Sequence, residues 1–288
     1  MVKSSASAFT LLEVLVATTV LALMMTFLFN LLGSSAKLWE IGNKKIEGAQ
    51  AARIGLNIMA DELKNAFAGN MTTYSTNGSS TFNVAPFLAT PNPTFGGSST
   101  LPAQNAAGSQ RLACVNFTGN PSAPYQEVQY QSIYLNSSFR DLAGNRYCLV
   151  RGYQNFGDKG NFYFRGSVNT TWESGGTSFE FEPITDNCIR LKLEYYGNES
   201  SPTGAPGWTS NGSWTPQDRL PLGVLVTLTV LDSKTAEKIA AIKGNTALTG
   251  PEITNGLSSS PPSTLSSVER LIAQGSVTMS RFIPFNAQ

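Results

Sequence analysis

The chain has no histidine and few charges, and both shortages narrow what it can do. Without imidazole there is no Ser-His-Asp or Cys-His pair of the usual kind. The commonest zinc ligand and the commonest acid-base group near neutral pH are missing with it. Twenty Lys and Arg balance nineteen Asp and Glu, and no basic block or basic-aromatic interleave appears. A nucleic-acid surface would show a clustered Lys/Arg excess, so no nucleic-acid partner is expected. Carboxylate chemistry is what remains. Glu180 with Glu182, or Asp186 with Glu194, are paired acids, but alternating acids in strands read first as a solvated face. Neither enzymatic activity nor a cofactor is expected.

Cysteine is scarce as well: Cys114, Cys148 and Cys188 are the only three. No CxxC or other metal-type spacing exists, and no metal site is expected. One bridge between two of the three, or three buried free thiols, both remain open. The segments Asp141–Asn145 and Asp158–Asn161 read as Gly/Asn turns rather than calcium loops.

What the chain does have is a long, mainly apolar run from Phe9 to Leu32 with one acid, Glu13, near its start. At 1.5 Å per residue the run spans roughly 36 Å, more than the hydrocarbon core of about 30 Å. It also exceeds the roughly 7–15 residues of a secretory signal core. A plain signal, cut after Ser34-Ser35-Ala36, or a simple anchor is the bland alternative. At a helix centre in the bilayer an acid costs on the order of 3 kcal/mol, and an acid within such a run is a functional candidate, so Glu13 is one whose natural partner is an amine. Cleavage before Phe9 would create one four positions upstream, within helical reach.

A short polar leader, a small residue, then Phe9-Thr10-Leu11-Leu12-Glu13-Val14 and an apolar stretch closely resembles the class III signal of type IV pilins and type II secretion pseudopilins. In that family a prepilin peptidase cuts before the phenylalanine and N-methylates it. The glutamate five residues into the mature chain pairs with the N-terminus of a neighbouring subunit. The resemblance therefore implies cleavage between Ala8 and Phe9, methylation of Phe9 and an assembly role for Glu13. The family usually has glycine where this chain has Ala8. Implied partners are the prepilin peptidase, other major and minor pseudopilins or pilins, and an inner-membrane assembly platform. The implied location is the bacterial inner membrane, single-pass, with the C-terminal domain in the periplasm, and a pseudopilus after assembly. Lys3 before the run against Lys37, Lys44 and Lys45 after it would argue the opposite orientation, but that rule is weak for long translocated domains.

Helical spacing continues past the run. Leu38, Ile41, Ile46, Ala49, Ala52, Leu56, Met59, Leu63 and Phe67 recur at steps of mainly three and four, which predicts an amphipathic helix over 33–68 joined to the membrane helix 9–32. Gly33, Gly42, Gly48 and Gly55 weaken it by about 1 kcal/mol each and allow bending or melting near 33–42. Residues 69–110, rich in Ser, Thr, Asn, Gly and Pro, read as a long surface loop. Strands are expected at 111–117, 127–135, 146–152, 161–165, 178–182, 188–196, 220–231 and 277–284, with turn residues between them that favour antiparallel pairing. The expected class is α+β: a long N-terminal helix, half transmembrane and half amphipathic, packed on an antiparallel β-sheet domain over 111–288, with 1–8 as leader.

The alternating strand ending in Tyr195-Tyr196, a polar turn with Trp208 and Trp214, and then Leu220-Pro221-Leu222-Gly223-Val224 opening a long apolar strand closely resemble the last third of the J-type minor pseudopilin of type II secretion. Tyr147-Cys148-Leu149-Val150-Arg151 fits the same pattern. Beyond Leu231 the chain adds a short helix over 231–240, a Gly/Pro/Ser-rich loop and a helix over 265–273 before its last strand. This insertion is more similar to the prepilin-like proteins of Verrucomicrobia gene cassettes. The function implied is a minor pseudopilin, at or near the tip of a type II secretion pseudopilus, that supports protein export by assembling through its helix. The alternatives are a minor pilin of a type IV pilus, or a membrane-anchored carbohydrate-binding or adhesion domain. For Trp208 and Trp214, packing in the turn stands against ligand contact.

Overall fold

A computed structural model describes residues 10–66, 69–75, 78–84, 87–91, 103–117, 125–135, 144–155, 180–198, 205–209, 214, 220–244 and 246–285. The protein is α+β, a long N-terminal helix with antiparallel sheets, and it divides into two units, Met1–Lys44 and Lys45–Gln288. The helix α1 (Leu11–Leu63) runs unbroken through all four glycines.

In the first unit residues 10–43 are all exposed, including Leu11, Leu23, Phe27 and Phe29. Three hydroxyls inside this apolar stretch close on their own helix: Thr18 Oγ1 donates to Leu15 O at 2.9 Å, Thr19 to Val16 O at 2.8 Å and Thr26 to Ala22 O at 2.8 Å. No polar group of those threonines then needs water, as a helix in hydrocarbon requires. The helix is long and apolar enough to cross a membrane.

In the second unit the rest of α1 carries the core. Gly48, Ala52, Gly55, Leu56, Met59, Ala60 and Leu63 are buried. The expected stripe holds from Ala52 onward, but Leu38, Ile41 and Ile46 are exposed, and the helix ends at Leu63 rather than 68. Two glycines lie on the buried stripe for a packing reason. A Cβ at Gly55 would sit 2.9 Å from Thr185 Oγ1, 3.0 Å from Leu228 Cδ1 and 3.2 Å from Leu149 Cδ2, while one at Gly48 would meet Val277 Cγ2 at 3.2 Å.

The expected loop over 69–110 is overturned: it contains four strands. β1 (Gly69–Ser75) and β2 (Gly78–Val84) form a hairpin. β3 (Phe87–Pro91) pairs with β5 (Gln110–Phe117), and β4 (Ala103–Asn105) with β6 (Tyr125–Leu135). These strands are short, and β1, β2 and β4 are mainly polar, so no sustained alternation or long apolar run marks them.

β5, β6, β7 (Arg146–Asn155) and β8 (Glu180–Asp186) complete a six-stranded antiparallel sheet of order β3-β5-β6-β7-β8 with β4 beside β6. The expected strand over 178–182 is thus realised later, and that over 161–165 lies outside the described residues. A single residue, Asn187 at φ 58°, separates β8 from β9 (Cys188–Gly197). Asparagine tolerates this left-handed backbone. Its N–H donates to Tyr147 O at 2.7 Å and its carbonyl accepts from Leu231 N at 2.9 Å, so one residue links both sheets at the corner.

The second sheet has the order β10-β9-β11-β12, from β9, β10 (Gly207–Thr209), β11 (Gly223–Leu231) and β12 (Ser276–Pro284). β9 alternates buried and half-buried residues, as its sequence predicts. Leu191, Leu193, Tyr195, Val224, Val226, Leu228 and Ile283 turn inward to the α1 core.

β11 and β12 pair directly from Gly223↔Pro284 to Leu231↔Ser276, and residues 232–275 leave the sheet between them. Asp232 closes the mouth of this insertion: its N–H donates to Gly275 O at 2.9 Å and its carboxylate caps α2 (Ser233–Lys243) through Thr235 N at 2.9 Å and Thr235 Oγ1 at 2.7 Å. α4 (Ser267–Gly275) realises the second expected helix. α3 (Gly250–Gly256) was hidden in what reads as a loop. Its signal was present in Thr249-Gly250-Pro251-Glu252, a capping box with an early proline, in which Thr249 and Glu252 bond reciprocally. Ile239, Leu248, Ile253, Val268 and Ile272 form a second core over Tyr134, Tyr147 and Ile189.

Candidate functional site

The first candidate lies at the start of α1. Glu13 stands in the first helical turn, and its N–H donates to Thr10 O at 3.0 Å and to Thr10 Oγ1 at 3.4 Å. Thr10-Leu11-Leu12-Glu13 therefore has the spacing of a capping box, and an acid here also complements the positive end of the helix dipole. This local role was legible in the sequence and stands beside any role in assembly. Ala8 and Phe9 lie outside the described residues.

The sheet domain sorts the remaining candidates. Cys114, Cys148 and Cys188 are all buried free thiols, so no two of them form a disulfide. Burial pushes the Cys148 and Cys188 thiols up to about 12 and raises that of Cys114 still further. Such thiols are neither nucleophiles nor ready ligands.

Three of the four candidate acids face cations, and the side chain of Glu180 lies outside what is described. Glu182 faces Arg151 at 3.5 Å, Asp186 faces Arg146 at 3.6 Å and Glu194 faces Lys192 at 2.9 Å. Among the described residues no group of three or more His, Cys, Asp or Glu gathers in a metal-holding arrangement. Glu62, in the last turn of α1, is half-buried and bonded to the sheet. Its carboxylate accepts from Arg151 Nε at 2.7 Å and from Tyr130 Oη, while Arg151 also reaches Gln126 Oε1 at 3.3 Å and stacks over Tyr153 at 4.6 Å. Burial raises the Glu62 carboxyl above its ordinary value, and the Arg151 hydrogen bond and charge only partly offset it. This arrangement ties the end of α1 to β7.

The two tryptophans part company. Trp214 is buried in the main core, its ring 6.3 Å from that of Tyr195, which removes it from any ligand surface. Trp208 is 57% exposed on the edge strand β10. Tyr196, its partner across the ladder, lies 5.2 Å away at 50°, and Phe282 lies 5.8 Å away at 68°. Tyr196 stood out in the sequence only as the end of an alternating strand, whose alternation turns it away from the core, and Phe282 did not stand out at all. The Phe282 ring occupies the place of a side chain at Gly223, where a Cβ would come within 2.6 Å of Phe282 Cε2.

The chain matches no protein-family model and no curated protein.

Proposed function

We propose that the chain is a minor pseudopilin, a structural subunit that assembles into a short type II secretion pseudopilus at or near its tip and supports protein export without catalysing a reaction. The observation that carries this reading is the placement of Glu13 in the first turn of an apolar helix, exposed throughout residues 10–43, whose C-terminal part packs the sheet domain. A helix exposed and apolar on all sides lacks a solvent or a partner, and a bilayer before assembly and neighbouring helices after it both supply one. In this reading a prepilin peptidase cuts before Phe9, the new N-methylated ammonium pairs with Glu13 of a neighbouring subunit, and the domain of residues 45–288 faces the periplasm.

Two measurements test it. The N-terminal mass of the chain from membranes that contain a prepilin peptidase should correspond to N-methylated Phe9; an intact Met1 or a start at Lys37 would refute the reading. Glu13→Gln separates the two roles of the acid, because glutamine serves in a capping box but carries no charge. Membrane insertion and helicity should persist while incorporation into fibres is lost.

A further inference from the structure

The outer face of the four-stranded sheet is ordered in rows by its register. The first row runs Trp208, Tyr196, Gly223, Pro284; the second Glu194, Leu225, Phe282; the third Lys192, Thr227, Ser280; the fourth Arg190, Thr229, Thr278, of which Thr229 is buried. Rows on one face of a strand recur about every 7 Å, so the four span roughly 20 Å. Along this track an aromatic end passes into polar groups that neutralise or bond one another. Lys192 Nζ and Glu194 Oε1 are 2.9 Å apart, the Thr227 and Ser280 hydroxyls 2.8 Å, and the Thr229 and Thr278 hydroxyls 3.1 Å.

The aromatic end is built rather than incidental. Gly223 leaves its side-chain space to Phe282, and that lets the ring lean out of its own row toward Trp208. Tyr196 and Phe282 both meet the indole at steep angles, which braces it, yet Trp208 stays 57% exposed and Phe282 44% exposed. Packing of this kind, tilted against Tyr196 and edge-to-face against Phe282, fixes a ring's orientation. An oriented, exposed indole offers a flat apolar face bordered by hydrogen-bonding groups. That combination suits a ligand whose own faces are apolar and whose rim is hydroxyl. A nucleic acid or another polyanion would need a cluster of cations, whereas the lysine nearest the platform is already paired with Glu194.

We propose that this face is a saccharide-binding track, with Trp208 stacking on a pyranose ring of a neutral β-linked polysaccharide and Glu194, Lys192, Thr227 and Ser280 bonding its hydroxyls. The site is independent of how α1 assembles and goes beyond the pseudopilin reading.

The full chain in a sugar-free zwitterionic detergent is titrated with cellohexaose and chitohexaose, with polygalacturonate as the charged control, and binding is read by tryptophan fluorescence and calorimetry. Saturable binding of at least one neutral hexasaccharide is expected, with weaker binding of polygalacturonate. Trp208→Ala and Phe282→Ala should each weaken it at least tenfold, and Trp208→Phe should restore part of it. Gly223→Ala, which displaces Phe282 without touching Trp208, should also weaken it. Failure of both neutral hexasaccharides to bind overturns the proposal, as does equal binding by Trp208→Ala. A self-associating chain that Trp208→Ala turns monomeric, with no saccharide binding, would instead make the patch an interface between copies.

Discussion

The Ser109 hydroxyl makes both backbone hydrogen bonds of Leu191, accepting from its N–H at 2.9 Å and donating to its carbonyl at 3.4 Å. The neighbouring Gln110 Oε1 accepts from Leu193 N, and Ser132 Oγ donates to Cys188 O at 2.6 Å. Among the described residues β10 pairs with residues 195–197 of β9, and these side chains from the six-stranded sheet bond the same edge farther along. An edge strand is satisfied here by side chains instead of by another strand, and the two sheets are joined by the same bonds.

Ser109→Ala should therefore cost about 1–3 kcal/mol, the penalty for stranding a buried backbone group, since Leu191 is fully buried. Denaturant unfolding measures the loss. Amide exchange localises it, with Leu191 losing protection before Leu228 in the centre of β11.

The pair of Glu62 and Arg151 gives a pH signature. The folded-state carboxyl lies above its ordinary value, first because it is buried and despite Arg151. A raised carboxyl contributes stability that is fully present below the unfolded value, about 4.5, and is lost as pH rises through the folded one. Removing the guanidinium raises the Glu62 carboxyl further. Arg151→Ala should then destabilise the domain by about 3 kcal/mol at neutral pH, the low end for a broken buried pair because the side chains keep 14% and 22% exposure. The deficit should shrink as pH falls toward 4.5 and Glu62 protonates. A loss equal at pH 4 and pH 7.5 in chemical denaturation would refute this assignment.

Gly55 and Gly42 should respond in opposite ways to alanine. Alanine favours a helix by about 1 kcal/mol over glycine. At Gly42 a Cβ meets nothing within 4 Å, so Gly42→Ala should raise helicity in micelles. At Gly55 the same methyl enters a site already lined by Thr185, Leu149 and Leu228, and overpacking costs about 1–3 kcal/mol. Gly55→Ala should lower the unfolding midpoint of the domain, and a higher midpoint would show that the helix can shift away from the sheets.

The sequence was legible where a residue pattern is sustained over a whole element. β9 alternates and α1 is apolar over its first half, so both could be read residue by residue. β1, β2 and β4 were hidden because Thr, Ser, Asn and Gln carry no two-residue apolar period, and β3, Phe-Leu-Ala-Thr-Pro, because its apolar run is only three residues long. Gly48 and Gly55 looked like weaknesses in α1, whereas they are close contacts that only three-dimensional packing reveals. The same holds for the aromatic platform. Trp208 drew notice by its type, but its partners come from strands far apart in sequence, and Trp214, equally prominent, turned out to be core. Glu62 sits among exposed charges in the sequence, and only the arrival of Arg151 from β7 makes it special.

The three cysteines give the last prediction. Their thiols are buried and raised, Cys148 and Cys188 to about 12, chiefly by burial, so almost no thiolate exists at pH 8. A thiol in that state neither attacks a disulfide nor reacts with a soluble reagent, even in an oxidising compartment. The folded chain should therefore show no fast-reacting thiol toward an aromatic disulfide reagent at pH 8 and three after denaturation without reductant. One reactive thiol after denaturation would mean that two cysteines had bridged. Because Cys114 and Cys188 are buried in the α1 core and Cys148 is buried in β7, such a bridge would require their strands to meet oxidant before the sheets close, which makes the thiol count a record of the order in which the domain folds.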